Sequence, residues 1–155
     1  MLPYPENYMI SSGKASGAQQ LVAFDAALID AGISNYNLLR VSSILPVGCV
    51  RKAAVEKKEG SALLTAYGSV STNVKGETIA SAVAVGIPCD AGRVGVIMEY
   101  ADHCDAETAE KTVREMVLSA MENHGIPCKE VQSSAIEATA SGDGWISVIS
   151  SIAMW

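Results

Sequence analysis

Asn35-Tyr36-Asn37-Leu38-Leu39-Arg40-Val41-Ser42-Ser43-Ile44-Leu45-Pro46 is the stretch on which the reading of this 155-residue chain turns. Leu38, Leu39, Val41 and Ile44 are apolar or strand-favouring, and Pro46 has no N–H to continue a ladder, so the stretch reads as one strand. Two adjacent serines stand where it ends. A hydroxyl in an apolar setting needs a partner, because burying it unpaired costs about 1–3 kcal/mol. The same dipeptide recurs as Ser11-Ser12, Ser133-Ser134 and Ser150-Ser151. On local grounds, then, Ser42 and Ser43 are ordinary strand-end or turn serines.

The chain is long enough for one domain, 1–155, with a real core. Hydrophobic residues make up 49% of it and aromatics 5%, a composition suited to closely packed sheets and helices. The net charge of -6 argues against a nucleic-acid partner, which asks for basic surface, and leans toward a cationic small substrate. No apolar run reaches the roughly 18 residues of a membrane span. The N-terminus, Met1-Leu2-Pro3-Tyr4-Pro5-Glu6, has no signal-peptide character, which makes a cytoplasmic protein the expectation. Cys49, Cys89, Cys104 and Cys128 form no Cys-x-x-Cys. Zinc and thioredoxin-type chemistry are therefore poor readings, and no metal is expected.

Upstream of the quoted stretch, Tyr8-Met9-Ile10 reads as a short strand and Ser11 to Gly17 as a loop. Ala18 to Ala31 reads as a helix closed by Gly32 in a left-handed cap. Leu21, Val22 and Leu28, with Ala26 and Ile29, mark its buried side, and Asp25 shares the face of Leu21 and Leu28. On the residues alone, Asp25 is a structural carboxylate satisfied by backbone donors or an ion pair.

Downstream, Val50 to Gly60 carries both signs of charge and reads as a solvated hairpin or loop. Leu63–Thr72, Thr78–Ile87 and Gly92–Ala101 read as three strands. The third sets Glu99 inside Val96-Ile97-Met98-Glu99-Tyr100. A carboxyl in such a run has a raised pKa and can hold a proton for general acid catalysis; an outward-facing strand glutamate satisfies the alternation equally. Asp105 to Asn123 is the best helix, capped by Asp105 and ended by Gly125 and Pro127, with Ala109, Val113, Met116, Val117 and Ala120 on one face. Glu110, Lys111, Arg114 and Glu115 fall on its solvated side. His103 and His124 flank it without a metal-ligand partner at useful spacing. Glu130–Ala140 and Trp145–Trp155 read as a final hairpin turning at Ser141-Gly142-Asp143-Gly144. Several strand-to-strand links are too short for parallel crossovers, so the elements fit sheet packed on sheet with helices outside.

Leu39-Arg40-Val41-Ser42-Ser43-Ile44-Leu45-Pro46 resembles the self-cleavage segment of the pyruvoyl-dependent arginine decarboxylases. Further blocks follow in family order: Ala23-Phe24-Asp25-Ala26-Ala27-Leu28, Ala31-Gly32-Ile33, Thr65-Ala66-Tyr67-Gly68, Gly76-Glu77-Thr78-Ile79, Ile97-Met98-Glu99-Tyr100 and Ala109-Glu110-Lys111-Thr112-Val113-Arg114-Glu115-Met116. The resemblance implies an α+β fold, a four-layer α-β-β-α sandwich of largely antiparallel sheets. It also implies a homotrimer of cleaved protomers with active sites between neighbours, and leaves a dimer of trimers open.

The resemblance further implies that the Ser43 hydroxyl attacks the Ser42 carbonyl to form an ester. Elimination then cuts the chain, and hydrolysis with loss of ammonia leaves a covalent pyruvoyl group at position 43. The products are a 1–42 beta chain and a 43–155 alpha chain. Ser42, Ser43, Glu99 as proton donor and Asn37 as oxyanion donor make up the implied catalytic set. Asp25 faces the guanidinium of L-arginine, and Leu21, Leu28, Ser34, Tyr36 and Ile44 line the pocket. Read without the family, Asn37 is a polar strand-end residue. The implied reaction gives agmatine and CO2.

Decarboxylation needs an electrophilic carbonyl to take up the electrons left on Cα. Pyridoxal phosphate is not the expected source, since no Schiff-base lysine can be singled out and no glycine loop cradles a phosphate. Two alternatives stand beside this reading: a pyruvoyl decarboxylase for another cationic amino acid, and an uncleaved, non-catalytic paralogue serving as a structural or binding subunit. A generic small-ligand sandwich is a weaker third.

Overall fold

The long strands carry apolar residues on both faces, so each sheet needs cover on both sides. A computed structural model, describing residues 2–155, supplies that cover as four layers. In chain order the elements are β1 (Asn7–Gly17), α1 (Gln20–Asp30), β2 (Asn37–Arg40), β3 (Ile44–Leu45), β4 (Val50–Arg51), β5 (Ala62–Thr72), β6 (Thr78–Pro88), β7 (Gly95–Asp102), α2 (Ala106–Asn123), β8 (Cys128–Thr139) and β9 (Trp145–Met154). One sheet has the order β2-β5-β9-β1-β4 and the other β3-β7-β6-β8. Every pairing is antiparallel except β1 with β4 and β2 with β5.

Three apolar seams hold the layers together. Ala27, Leu28, Ala31 and Ile33 pack α1 and its exit onto Met9, Leu63, Ile149 and Ala153 of the five-stranded sheet. Between the sheets, Tyr8, Ala66, Ile152 and Met154 meet Leu45, Val83, Val85 and Ile97. On the far side, Ala109, Val113, Val117 and Met121 of α2 lie on Ala80, Ala82, Ala84 and Val96. The alternation along β6, alanine toward α2 and branched residues toward the other sheet, assigns each face its neighbour. Both helices sit close to their sheets where glycine allows it. A Cβ on Gly13 would fall 2.3 Å from the Ala27 carbonyl oxygen, and one on Gly86 2.8 Å from Met121 Cγ.

That close approach corrects the expected face of α1. Its buried residues are Ala23, Ala27 and Leu28, whereas Leu21, Val22 and Ile29 are exposed. A helix lying against Gly13 and Gly17 presents Ala23, Ala27 and Ala31 there, so Leu21, Val22 and Ile29 point outward while Leu28 stays buried as expected. Asp25 is exposed with Leu21, and its charge carries no burial cost.

Other expectations change for tertiary reasons. Ser11 to Gly17 is strand, not loop, because β1 pairs with β9 along its whole length. The final two strands are not a hairpin. β8 pairs with β6 in one sheet, while β9 runs between β5 and β1 in the other, so the Ser141–Gly144 turn carries the chain across the sandwich. Val50–Gly60 contains β4, which adds in parallel to β1 instead of folding back on itself. Glu110 and Arg114 are not merely solvated. Arg114 donates to the Val131 carbonyl and to Ser133 Oγ, and Ser133 Oγ donates to Glu110 Oε1, tying α2 to β8.

The remaining serine pairs have a shared explanation. Ser12 Oγ lies 2.7 Å from both Ser134 Oγ and Ser150 Oγ. Ser150 Oγ donates to the Ser81 carbonyl, and Ser81 Oγ donates to the Gly68 carbonyl. Each hydroxyl has one proton, so the chain runs from Ser134 to Ser12 to Ser150 to the Ser81 carbonyl. The network bridges the two sheets and satisfies hydroxyls that would otherwise be buried without partners. Among the described residues no helix is long and apolar enough to cross a membrane.

Candidate active site

The quoted stretch is two strands, not one. β2 belongs to the five-stranded sheet and β3 to the four-stranded sheet. The Val41 N–H still donates to Thr65 on β5, at 3.1 Å, and the Ser43 carbonyl already accepts from Ile97 on β7, at 2.7 Å. Ser42 alone lies between the last backbone bond to one sheet and the first to the other. Pinned on both sides, the Ser42–Ser43 peptide crosses the open edge of the sandwich. Ser42 is exposed and Ser43 half-buried.

β7 brings Glu99 to the same place. Ile97 packs between the sheets, and Glu99, two residues on, shares its face. Val83 stands opposite Glu99 on β6. Across the gap, the Glu99 Cβ lies 3.4 Å from where a Gly68 Cβ would stand, so the missing side chain leaves room for the carboxyl. Burial pushes the Glu99 carboxyl above the usual glutamate range, and the Arg40 guanidinium pulls it partly back. The result is a carboxyl that holds its proton more tightly than an ordinary glutamate, two residues along β7 from the bond to Ser43.

Arg40, a charge inside an otherwise apolar strand, is a further residue at this edge. Its side chain donates to the Tyr67 carbonyl at 2.8 Å and lies 4.4 Å from the Tyr67 ring centroid.

The remaining site residues lie elsewhere in this chain. Asp25 and Leu21 are exposed on α1, on the side of the five-stranded sheet away from Glu99. Leu28 is buried beneath the helix. Ser34 Oγ donates to Asn35 Oδ1, and the Tyr36 hydroxyl donates to the Lys57 carbonyl. Asn37 begins β2 and donates its amide to the Gly60 carbonyl at 2.8 Å. At a strand rise of about 3.3 Å per residue, Asn37 stands roughly 16 Å from Ser42. Ile44 is partly exposed beside the serines. Of the expected pocket residues, Leu21 alone lines the cleft of about 380 Å³ between α1 and β5, with Gln20, Phe24, Ser69, Val70 and Ser71. One chain therefore brings together Ser42, Ser43, Ile44 and Glu99, and leaves Asp25, Leu21 and Asn37 on other parts of its surface.

The family model described as pyruvoyl-dependent arginine decarboxylase matches residues 7–155. The chain belongs to that family. Relatives named pyruvoyl-dependent arginine decarboxylase include one from Methanocaldococcus jannaschii, 41% identical over 87% of this chain and 82% of its own length. One from Methanococcus aeolicus is 37% identical over 99% of this chain and 93% of its own, and one from Thermococcus sibiricus is 32% identical over 97% and 95%. The α+β architecture, two helices outside two mostly antiparallel sheets, is consistent with a sandwich of the pyruvoyl-dependent decarboxylase type. Membership of a pyruvoyl-dependent family implies a covalent pyruvoyl group. Ser43 has the chemistry required: a hydroxyl one peptide away from a carbonyl it can attack, at an edge open to water.

Proposed function

We propose that the chain is a carboxy-lyase that converts L-arginine to agmatine and CO2, using a covalent pyruvoyl group formed from Ser43 by self-cleavage. The observation that carries this reading is the Ser42–Ser43 peptide held across the sandwich edge beside a half-buried Glu99. The names of its relatives give the substrate.

The Ser43 hydroxyl adds to the Ser42 carbonyl and its nitrogen leaves, forming an ester and a free amine. Removal of the Ser43 Cα proton breaks the Cβ–O bond, which releases Ser42 as a carboxylate and leaves dehydroalanine at 43. Water then replaces the nitrogen, released as ammonia. The pyruvoyl carbonyl supplies the electron sink that decarboxylation requires. Glu99 holds a proton for the substrate Cα, a role that its burial favours. Asp25 takes the guanidinium, which a carboxylate can accept through two parallel hydrogen bonds.

Asp25 and Glu99 lie on opposite sides of the five-stranded sheet, so a single chain does not hold one arginine between them. We infer a homotrimer in which α1 of one chain, with Asp25 and Leu21, faces the Ser43 and Glu99 edge of the next. Asn37 would likewise serve a neighbouring site or move on assembly. Exposed Leu21, Val22 and Ile29 on α1, and Leu39 and Ile44 beside the serines, are the apolar surface such an interface would cover. All four thiols are free, which suits the reducing cytoplasm as the compartment.

The test is turnover of L-arginine, L-lysine and L-ornithine by the wild type and by Ser43→Ala. Agmatine and CO2 from arginine with wild type alone is the expected result. Turnover of lysine or ornithine instead would move the substrate. Equal turnover by Ser43→Ala would overturn the reading.

A further inference from the structure

Self-cleavage would place a new chain end, and a new negative charge, at Ser42. That end belongs to β2, a strand of four residues that pairs on one side only, with β5. A short edge strand with a free terminus frays readily. The structure holds a device at this point that the mechanism above does not use. β2 leaves β5 after Val41, whose N–H reaches Thr65. The next carbonyl along that edge, Tyr67, would be left without a strand partner. Arg40 supplies one, donating to it at 2.8 Å while its guanidinium rests on the Tyr67 ring. Gly68, the following residue, is the one against which Glu99 packs.

We propose that Arg40 is a positioning residue, whose guanidinium, braced on Tyr67, holds the chain end created at Ser42 and balances the carboxylate formed there. The proposal rests on the self-cleavage reading above. Its chemical logic is charge placement. The new carboxylate at Ser42 would act on Glu99 as a like charge, and a cation two residues away offsets it. Around Glu99, β6 presents Ser81, Val83 and Val85, β5 presents Ala66, Gly68 and Val70, β9 presents Ser150 and Ile152, and the crossing segment presents Val41. None of these carries a charge, and Arg40 is the cation that acts on Glu99. A planar guanidinium suits the position because it donates in the plane of its fork while stacking its face on an aromatic ring, which a lysine ammonium cannot do.

The experiment compares wild type, Arg40→Gln and Arg40→Lys as full chains, by intact mass, hydrogen exchange over residues 37–42, and the pH profile of kcat. Arg40→Gln is expected to be cut between 42 and 43 like wild type, and then to exchange at least about tenfold faster over 37–42. If Glu99 must be protonated to act, kcat falls as pH rises through its pKa. Loss of the Arg40 charge moves that fall to higher pH. Arg40→Lys should restore the pH profile, because it keeps the charge, but not the exchange protection. An Arg40→Gln protein that stays whole while wild type is cut overturns the proposal, since Arg40 would then belong to the cleavage step. Unchanged exchange and an unchanged profile in a cut Arg40→Gln protein overturn it as well. A wild type that is itself uncut overturns the self-cleavage reading, and this inference with it.

Discussion

The burial that would suit Glu99 to its proposed role as proton donor comes at a cost to the fold. Its carboxyl is raised above the usual glutamate range mainly by burial, so the folded state binds its proton more tightly than the unfolded chain does. The sign follows by linkage. Below the ordinary glutamate pKa both states are protonated and nothing is lost. As pH rises through that value toward the folded one, ionisation increasingly opposes folding, and the penalty is complete above it. Glu99→Gln should therefore have a higher Tm than wild type at pH 8, with the difference fading toward pH 4. A difference that grew on acidification would reverse the assignment. The same substitution should lower kcat by about 10²–10⁴-fold, the usual contribution of a general acid, in protein that has been cut normally.

Elements were legible in the sequence where the determinant was local. The Asp105-capped helix begins after its cap, with Asp105 Oδ1 accepting from the Thr108 N–H, and Gly32 takes the positive φ expected of it. They were not legible where a distant partner decides. Asp143-Gly144 is a turn in any context, but only the space between β5 and β1 sends β9 to the other sheet. Hydrophobicity places Leu21, Val22 and Ile29 inside; the close approach of α1 to Gly13 and Gly17 of β1 gives the inside to Ala23 and Ala27 beside Leu28. The serine pairs looked uninformative because each finds its partner on another strand. Two predictions belong here. Ser150→Ala removes the central hydroxyl of the network and should destabilise the fold by about 1–3 kcal/mol in chemical denaturation. Gly86→Ala puts a methyl 2.8 Å from Met121 and 2.9 Å from Val117 side-chain carbons, and should cost about 1–3 kcal/mol by overpacking.

At the scale of the whole molecule, part of the site could be read from the chain and part from the fold. The serine pair and the strand that carries Glu99 meet within one chain, through the Ile97–Ser43 backbone bond. Asp25 does not join them, because α1 lies outside the opposite sheet. If neighbouring chains complete each site, two inactive variants with complementary defects should rescue one another. Asp25→Ala and Ser43→Ala proteins, unfolded and refolded together in equal amounts, should regain activity in about a quarter of the sites if chains assort at random in closed rings. No recovery in mixed oligomers would mean that each chain carries a complete site.

The proposed function stands on cleavage of the chain between Ser42 and Ser43, which intact mass under denaturing conditions reads out. Two species are expected, one matching residues 1–42 and one matching 43–155 with Ser43 converted to pyruvoyl, with no cutting in Ser43→Ala. A single full-length mass that persists through long incubation would contradict it, leaving the chain without its electrophile.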